Sequence, residues 1–207
     1  MLFVDRREAG RRLALRLGGY AVRDTIVLAL PRGGVAVGYE VARALGAPLE
    51  VFVVCKLGLP GHPELAMGAI ASGDVVVLNQ ELVDYLELPE EAIDSILEAE
   101  RRELARRESV YREGAPPPDL RGRTVILVDD GLATGSTMLA AISALRKRGP
   151  TRVVVAVPVA APEACDAMAA AADDVVCAAT PEPFRAVSFW YDDFSQTTDD
   201  EVHELLE

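Results

Sequence analysis

Residues Thr124 to Thr137 read TVILVDDGLATGST, and the order of residue types in this stretch decides the fold. Val125 to Val128 are apolar without a break, as in a strand buried on both faces. Asp129 and Asp130 follow at once. Gly131 to Thr137 forms a turn rich in small and hydroxyl residues, and an apolar helical pattern begins directly after it. The stretch therefore reads as a buried strand, an acidic pair at its carboxyl end and a phosphate-sized loop opening a helix. In open parallel sheets, ligands bind at that end of the strands.

Upstream, the chain alternates strand and helix patterns. Ala9, Leu13 and Leu17 recur at helical spacing and predict a first helix over 6–18, closed by Gly18-Gly19. Thr25 to Leu30 reads as a buried strand, Pro31-Arg32-Gly33-Gly34 as a tight turn, and Val37, Val41, Ala44 and Leu45 as one side of a helix that Gly46-Ala47-Pro48 stops. Leu49 to Val54 reads as a second strand, with Lys56 just beyond it. This order implies parallel neighbours joined by a right-handed crossover. Downstream, a helix over 137–148, a strand from Arg152 to Val157, a helix from Pro162 to Ala172 and a strand from Asp174 to Ala178 continue the pattern. The fold class is α/β, with a mostly parallel central sheet flanked by helices.

Between the two halves lies a stretch of different character. Glycines and prolines from Gly58 to Gly73 predict a long irregular segment that holds His62 and Glu64. Val75 to Leu78 could add a short strand. Pro89 to Glu113 is a charged helix with a thin apolar seam at Ile93, Leu97, Leu104 and Tyr111, suited to a flap or a subunit contact. The expected organisation is one domain over 1–207: a core of 1–57 and 119–180, a flexible loop and helical insertion of 58–118, and a small C-terminal hood of 181–207 carrying Phe184, Phe189, Trp190, Tyr191 and Phe194.

Composition narrows the function. The 207 residues carry a net charge of −12 and are half apolar. Such acidity opposes binding to nucleic-acid phosphate, and the basic run Arg101 to Arg112 is interleaved with Glu100, Glu103 and Glu108 as in a solvated helix face. Cys55, Cys165 and Cys177 lack metal-ligand spacing and are expected to be reduced core residues of a cytoplasmic protein. No apolar run is long enough to span a bilayer.

The loop after Asp129 lacks the lysine and spacing of GxxxxGK[ST], and it is not GxGxxG. Gly135 lets the backbone approach an anion, and Thr134, Ser136 and Thr137 add hydroxyl donors. The two carboxylates suit the hydroxyls of an attached sugar. A phosphorylated ribose meets both demands. At this point VILVDDGLATGST resembles the motif that binds phosphoribosyl pyrophosphate (PRPP) in type I phosphoribosyltransferases.

The resemblance implies that Asp129 and Asp130 hold the ribose hydroxyls and that Ala133, Thr134, Gly135, Ser136 and Thr137 cradle the 5′-phosphate. Pro31 to Gly34 is similar to the family's pyrophosphate loop, which often contains an unusual cis peptide. It would supply the Arg32 guanidinium and the backbone of Gly33 and Gly34, with Lys56 as a second cation. Magnesium would bridge donor oxygens beside Asp129 and Asp130, and the irregular loop would close over the ligands. SFWYDDF resembles the hood strand of hypoxanthine-type members, which makes Phe184, Trp190 and Asp192 the candidate acceptor contacts. The implied activity is phosphoribosyl transfer from PRPP to a nitrogenous acceptor such as a purine-like base, in a protein that contacts neither nucleic acid nor membrane and that could be a homodimer. The alternatives are a PRPP-sensing regulatory or nucleotide-binding module without transferase activity, and a phosphohydrolase that binds metal through the acidic pair.

Overall fold

A computed structural model describes residues 2–112 and 114–207, apart from the side chains of Pro63 and Glu64. Glu113, the expected end of the long helix, lies outside the described residues, as does the side chain of Glu64. Asp5 accepts a hydrogen bond from the Glu8 backbone N–H and starts α1 (Arg6–Ala14). Then come β1 (Thr25–Ala29), α2 (Gly33–Leu45) and β2 (Leu49–Val51). Gly46 ends α2 at φ 62°, a left-handed cap. The insertion contains β3 (Val54–Leu59), β4 (His62–Ala71), β5 (Val75–Leu78), α3 (Gln80–Tyr85) and α4 (Glu90–Arg112). The core resumes with β6 (Thr124–Val128), α5 (Ser136–Lys147), β7 (Arg152–Val159), α6 (Pro162–Ala171) and β8 (Asp174–Ala179). A 3-10 turn (Val187–Trp190) and α7 (Asp199–Leu206) complete the chain.

The five core strands pair in parallel in the order β2-β1-β6-β7-β8. The period-2 alternation of side chains is visible within β6 itself. Val125 and Leu127 join the cluster that includes Ala141, Ile142 and Leu145 of α5. Ile126 and Val128 join Leu13 of α1 and Val37 and Val41 of α2. Burial on both faces explains why this strand has no polar break.

The expected irregular segment is a correction. Residues 54–78 form a three-stranded antiparallel sheet, β3-β4-β5. Its glycines serve strand geometry. Gly61 turns the hairpin at φ 77°, and a Cβ on Gly68 would lie 2.2 Å from the Val77 carbonyl oxygen. The pairing register shifts on either side of Gly58. The single strand expected over Leu49–Val54 is divided for the same reason. Phe52 N–H still donates to the Ala29 carbonyl of the main sheet, whereas the Val53 N–H donates to the buried Ser72 hydroxyl and directs the chain into the second sheet. Lys56 consequently lies inside β3. The seam of α4 packs within the chain: Leu104 and Tyr111 are buried with Cys55, Leu57 and Met67, and with Val202 and Leu205 of α7.

Two further expectations change. Cys165 on α6 and Cys177 on β8 form a disulfide, because α6 lies along β8 and brings together residues 12 apart in sequence. Cys55 is the free thiol, and burial pushes it up to about 11. The hood carries a 3-10 turn and a helix in place of a strand. Its Tyr191 makes a parallel bridge with Phe3, which ties the two ends of the chain together. Among the described residues, no helix is long and apolar enough to cross a membrane.

The first helix depends on one close approach. A Cβ on Gly10 would lie 2.7 Å from the Val37 carbonyl oxygen and 2.9 Å from the Glu40 Cβ, so α1 and α2 meet where only glycine fits. Gly10→Ala should lower stability in urea unfolding by about 1–3 kcal/mol through overpacking, with the denaturant slope unchanged.

Candidate functional site

The chain leaves β1 toward β2 and returns on the other side of β1 as β6, so the carboxyl ends of β1 and β6 flank a topological switch point. Two loops meet there. Leu30 N–H donates to the Val128 carbonyl at 2.9 Å. Beyond that contact the Pro31-Arg32 peptide is cis, and Gly33 and Gly34 lie against the acidic pair. A Cβ on Gly33 would fall 2.0 Å from the Asp130 Oδ2, and one on Gly34 would fall 2.9 Å from the Val128 carbonyl oxygen and 3.2 Å from the Asp129 Oδ1. Close contact, and not an unusual backbone conformation, is what favours glycine at these two positions.

The carboxylates are set into the crevice with specific partners. Asp129 Oδ1 accepts the Asp130 backbone N–H at 2.8 Å. Asp130 Oδ2 accepts the Arg6 Nε–H at 2.7 Å, and the Asp130 side chain keeps 16 % of its surface exposed. Arg6 also donates to the Ser195 carbonyl at 2.7 Å and lies 3.8 Å over the Phe194 ring. The Tyr191 hydroxyl donates to the Asp130 carbonyl at 2.5 Å. Burial, then the neighbouring Asp130 charge, raises the Asp129 carboxyl well above its ordinary range. Burial raises Asp130 too, and Arg6 opposes it. Desolvation also raises the Tyr191 hydroxyl. Two adjacent carboxylates with so few donors need further hydrogen-bond donors to stay ionised, and sugar hydroxyls are suitable donors.

The loop after them is shaped for an anion. Gly135 sits at φ 73° as the N-cap of α5, and no side chain caps that helix, so its first N–H groups are offered to the loop. Thr134 Oγ1 and Ser136 Oγ are 3.4 Å apart. Ala133 precedes them, and Thr137 follows Ser136 in the first turn of α5. Lys56 Nζ donates to Ser136 Oγ at 2.7 Å, which puts this lysine against the Ala133–Thr137 loop. The Arg32 Nη1 lies 3.9 Å from the Asp199 carboxylate.

The hood is reached through a cleft of about 720 Å³, lined by Ala133 and Thr134 of the loop, Pro162 and Glu163 of α6, and Pro183, Phe184 and Arg185. Phe184 and Trp190 are 6.3 Å apart. Trp190 and Asp192 do not line the cleft. The Trp190 Nε1 is buried without a hydrogen-bond partner, and Asp192 is exposed, with its backbone N–H on the Phe3 carbonyl. Val187 fills the space beside Gly131, where a Cβ would lie 2.5 Å from its Cγ1. That contact accounts for glycine at this position.

The pattern described as phosphoribosyl transferase domain matches residues 7–188. The chain belongs to the type I phosphoribosyltransferase family. It is 47 % identical over 206 residues to a Mycobacterium tuberculosis H37Rv protein named provisionally as a phosphoribosyl transferase, with 100 % of this chain and 46 % of that protein aligned. The chain thus spans about half the length of the curated relatives it matches over its full length. A 59-residue stretch, 28 % of each chain, is 51 % identical to uracil phosphoribosyltransferase of Lacticaseibacillus paracasei. The crystal structure of TT1426 from Thermus thermophilus superposes with a TM-score of 0.90 at 44 % identity, covering 100 % of this chain and 98 % of that one.

Within this phosphoribosyltransferase fold, Arg6 and Tyr191 are site residues that sequence reasoning missed. Arg6 was one of several arginines in the first helix, and nothing in the local pattern separates it from its neighbours. Asp129 contributes to stability with a definite sign. A carboxyl whose folded pKa exceeds its ordinary value of 3.8 makes folding less favourable as pH rises through that interval. Asp129→Asn should therefore raise the thermal midpoint at pH 7 relative to the native chain. The gain should disappear below the ordinary carboxylate value, as followed by circular dichroism melts across pH.

Proposed function

We propose that this chain transfers a 5-phosphoribosyl group from PRPP to a nitrogenous acceptor and releases pyrophosphate. The contact of Gly33 and Gly34 with Asp129 and Asp130 carries this reading, because it joins a loop suited to a diphosphate to a pair suited to ribose hydroxyls. The Ala133–Thr137 loop, with Lys56 on Ser136, would bind the 5′-phosphate. Phe184 would offer a flat apolar face to the acceptor base, and Glu163 and Arg185 would offer polar contacts to its edges. A partial relation to a protein named for uracil is a reason to include pyrimidines beside purines among the candidate bases.

In the transfer, the anomeric carbon–oxygen bond to pyrophosphate breaks and a carbon–nitrogen bond forms. Positive charge develops on the sugar, and the Asp129–Asp130 pair would stabilise it through space. Ribose hydroxyl donors would favour the ionised pair over the proton-sharing state that burial promotes. Arg6 holds Asp130 in one orientation. Among the described residues, no group of three or more His, Cys, Asp or Glu forms a ready-made metal cage. The donor set of Asp129 and Asp130 fits a magnesium ion that takes most of its oxygens from the substrate. When bound, that ion would supply neutralising charge to the leaving diphosphate.

Incubation with PRPP, magnesium and a panel of purines, pyrimidines and amines should give pyrophosphate in an acceptor-dependent manner. Asp129→Asn and Asp130→Asn should each reduce kcat/KM by roughly a hundredfold or more. Full activity in both variants would refute the role given to the pair. PRPP binding without turnover on any acceptor would favour a sensing module.

A further inference from the structure

The insertion helix α4 brings two arginines to the loop that carries Arg32. A cavity of about 430 Å³ is lined by Pro31, Arg32, Arg106, Arg107, Tyr111 and Asp199, with Val110 at its side. Its residues come from three distant parts of the chain, and polar groups dominate its wall. Glu103 accepts hydrogen bonds from Arg106 at 2.8 and 2.9 Å and from Arg107 at 2.7 Å. Those contacts, Arg106 first, hold the Glu103 carboxyl down at about 2. Three guanidinium groups against the Glu103 and Asp199 carboxylates leave one positive charge in excess.

Asp199 is the informative member. It opens α7, accepts the Tyr111 hydroxyl at 2.8 Å and lies 3.9 Å from Arg32. Burial, then the contact with Asp199, pushes the Tyr111 hydroxyl up to about 12, while Arg32 and Arg107 pull the other way. Arg32 lies beside the Asp199 carboxylate, and Arg106 and Arg107 line the same cavity. A carboxylate thus sits at a cavity lined by three guanidinium groups, a setting that suits a phosphate oxygen.

We propose that this cavity receives the diphosphate group of the donor, that Arg106 and Arg107 form its outer wall opposite the Pro31–Gly34 turn, and that Asp199 is a carboxylate stand-in which the diphosphate displaces. The assignment rests on the transfer reading above. It gives α4 a role in positioning the leaving group, and it makes α7 a competitor for the empty site. An alternative is that Arg106 and Arg107 only pair with Glu103 on a solvated helix face, and the two readings predict different behaviour toward pyrophosphate.

Calorimetric titration with inorganic pyrophosphate in magnesium buffer at fixed ionic strength separates them. Arg106→Ala with Arg107→Ala should weaken pyrophosphate binding roughly tenfold, and the loss should shrink as salt is added. Asp199→Asn should tighten it several-fold, because it removes the competing charge while keeping a hydrogen-bond acceptor for Tyr111. Arg121→Ala, an exposed arginine paired with Asp119, should leave it unchanged. Pyrophosphate affinities of the arginine and Asp199 variants within twofold of the native chain would overturn the proposal, as would absence of pyrophosphate binding by the native chain. Asp199→Asn carries the test alone if the double arginine variant does not fold. If PRPP binding still depends on Asp129 while pyrophosphate is indifferent to Arg106, Arg107 and Asp199, this inference fails and the transfer reading stands.

Discussion

The contact between Gly33 and the Asp130 carboxylate is the constraint on which the rest of the site depends. A Cβ there would occupy almost the same space as a carboxylate oxygen, 2.0 Å away. At Gly34 the clash would be with the backbone itself, 2.9 Å from the Val128 carbonyl oxygen, so the strand ends of β1 and β6 close on one another with glycine in the turn. Once closed, they bring a loop able to hold a diphosphate within reach of two carboxylates able to hold a sugar. The same closure removes water from those carboxylates and raises both their pKa values. Binding capacity and the cost of burial come from one contact.

The two ends of the chain meet that cost. Arg6 neutralises Asp130, and its guanidinium stacks on Phe194 and donates to Ser195. Tyr191 reaches the Asp130 carbonyl while its ring lies 5.4 Å from Phe3. Leu2 and Phe3 donate their N–H groups to the Trp190 carbonyl. The hood thus has a structural duty alongside any part in acceptor binding. Its aromatic residues divide accordingly: Tyr191 and Phe194 secure the acidic pair from behind, whereas Phe184 faces the open cleft.

This division explains what sequence could and could not reveal. The parallel core was legible because Val125 to Val128 are apolar at every position, which only burial on both faces demands. The acid pair and the Gly135 loop were legible because their chemistry is contiguous. The segment from Gly58 to Gly73 was misread because Gly61 and Gly68 serve a turn and a tight strand contact, and glycine density alone resembles a loop. Arg6 escaped notice because its partner is 124 residues away. The Cys165–Cys177 pairing escaped because it depends on how a helix lies on a strand, which no spacing rule encodes.

Strand order also bears on how the proposed transfer could run. Arg32 follows β1, the acidic pair follows β6, and the open cleft is lined by Ala133 and Thr134 of the β6 loop and by residues after β7 and β8. The arginine-lined cavity and the Phe184 cleft therefore lie toward opposite edges of the sheet, with Asp129 and Asp130 between them. A sugar held by that pair would have its leaving group drawn toward β1 and its nucleophile admitted from the β7–β8 side. An in-line displacement at the anomeric carbon would be served by such a separation, because its attacking and departing atoms occupy opposite faces of the reacting centre. A parallel sheet places successive strand ends side by side in space, so under the proposed transfer the order of strands would set the order of leaving group, sugar and acceptor.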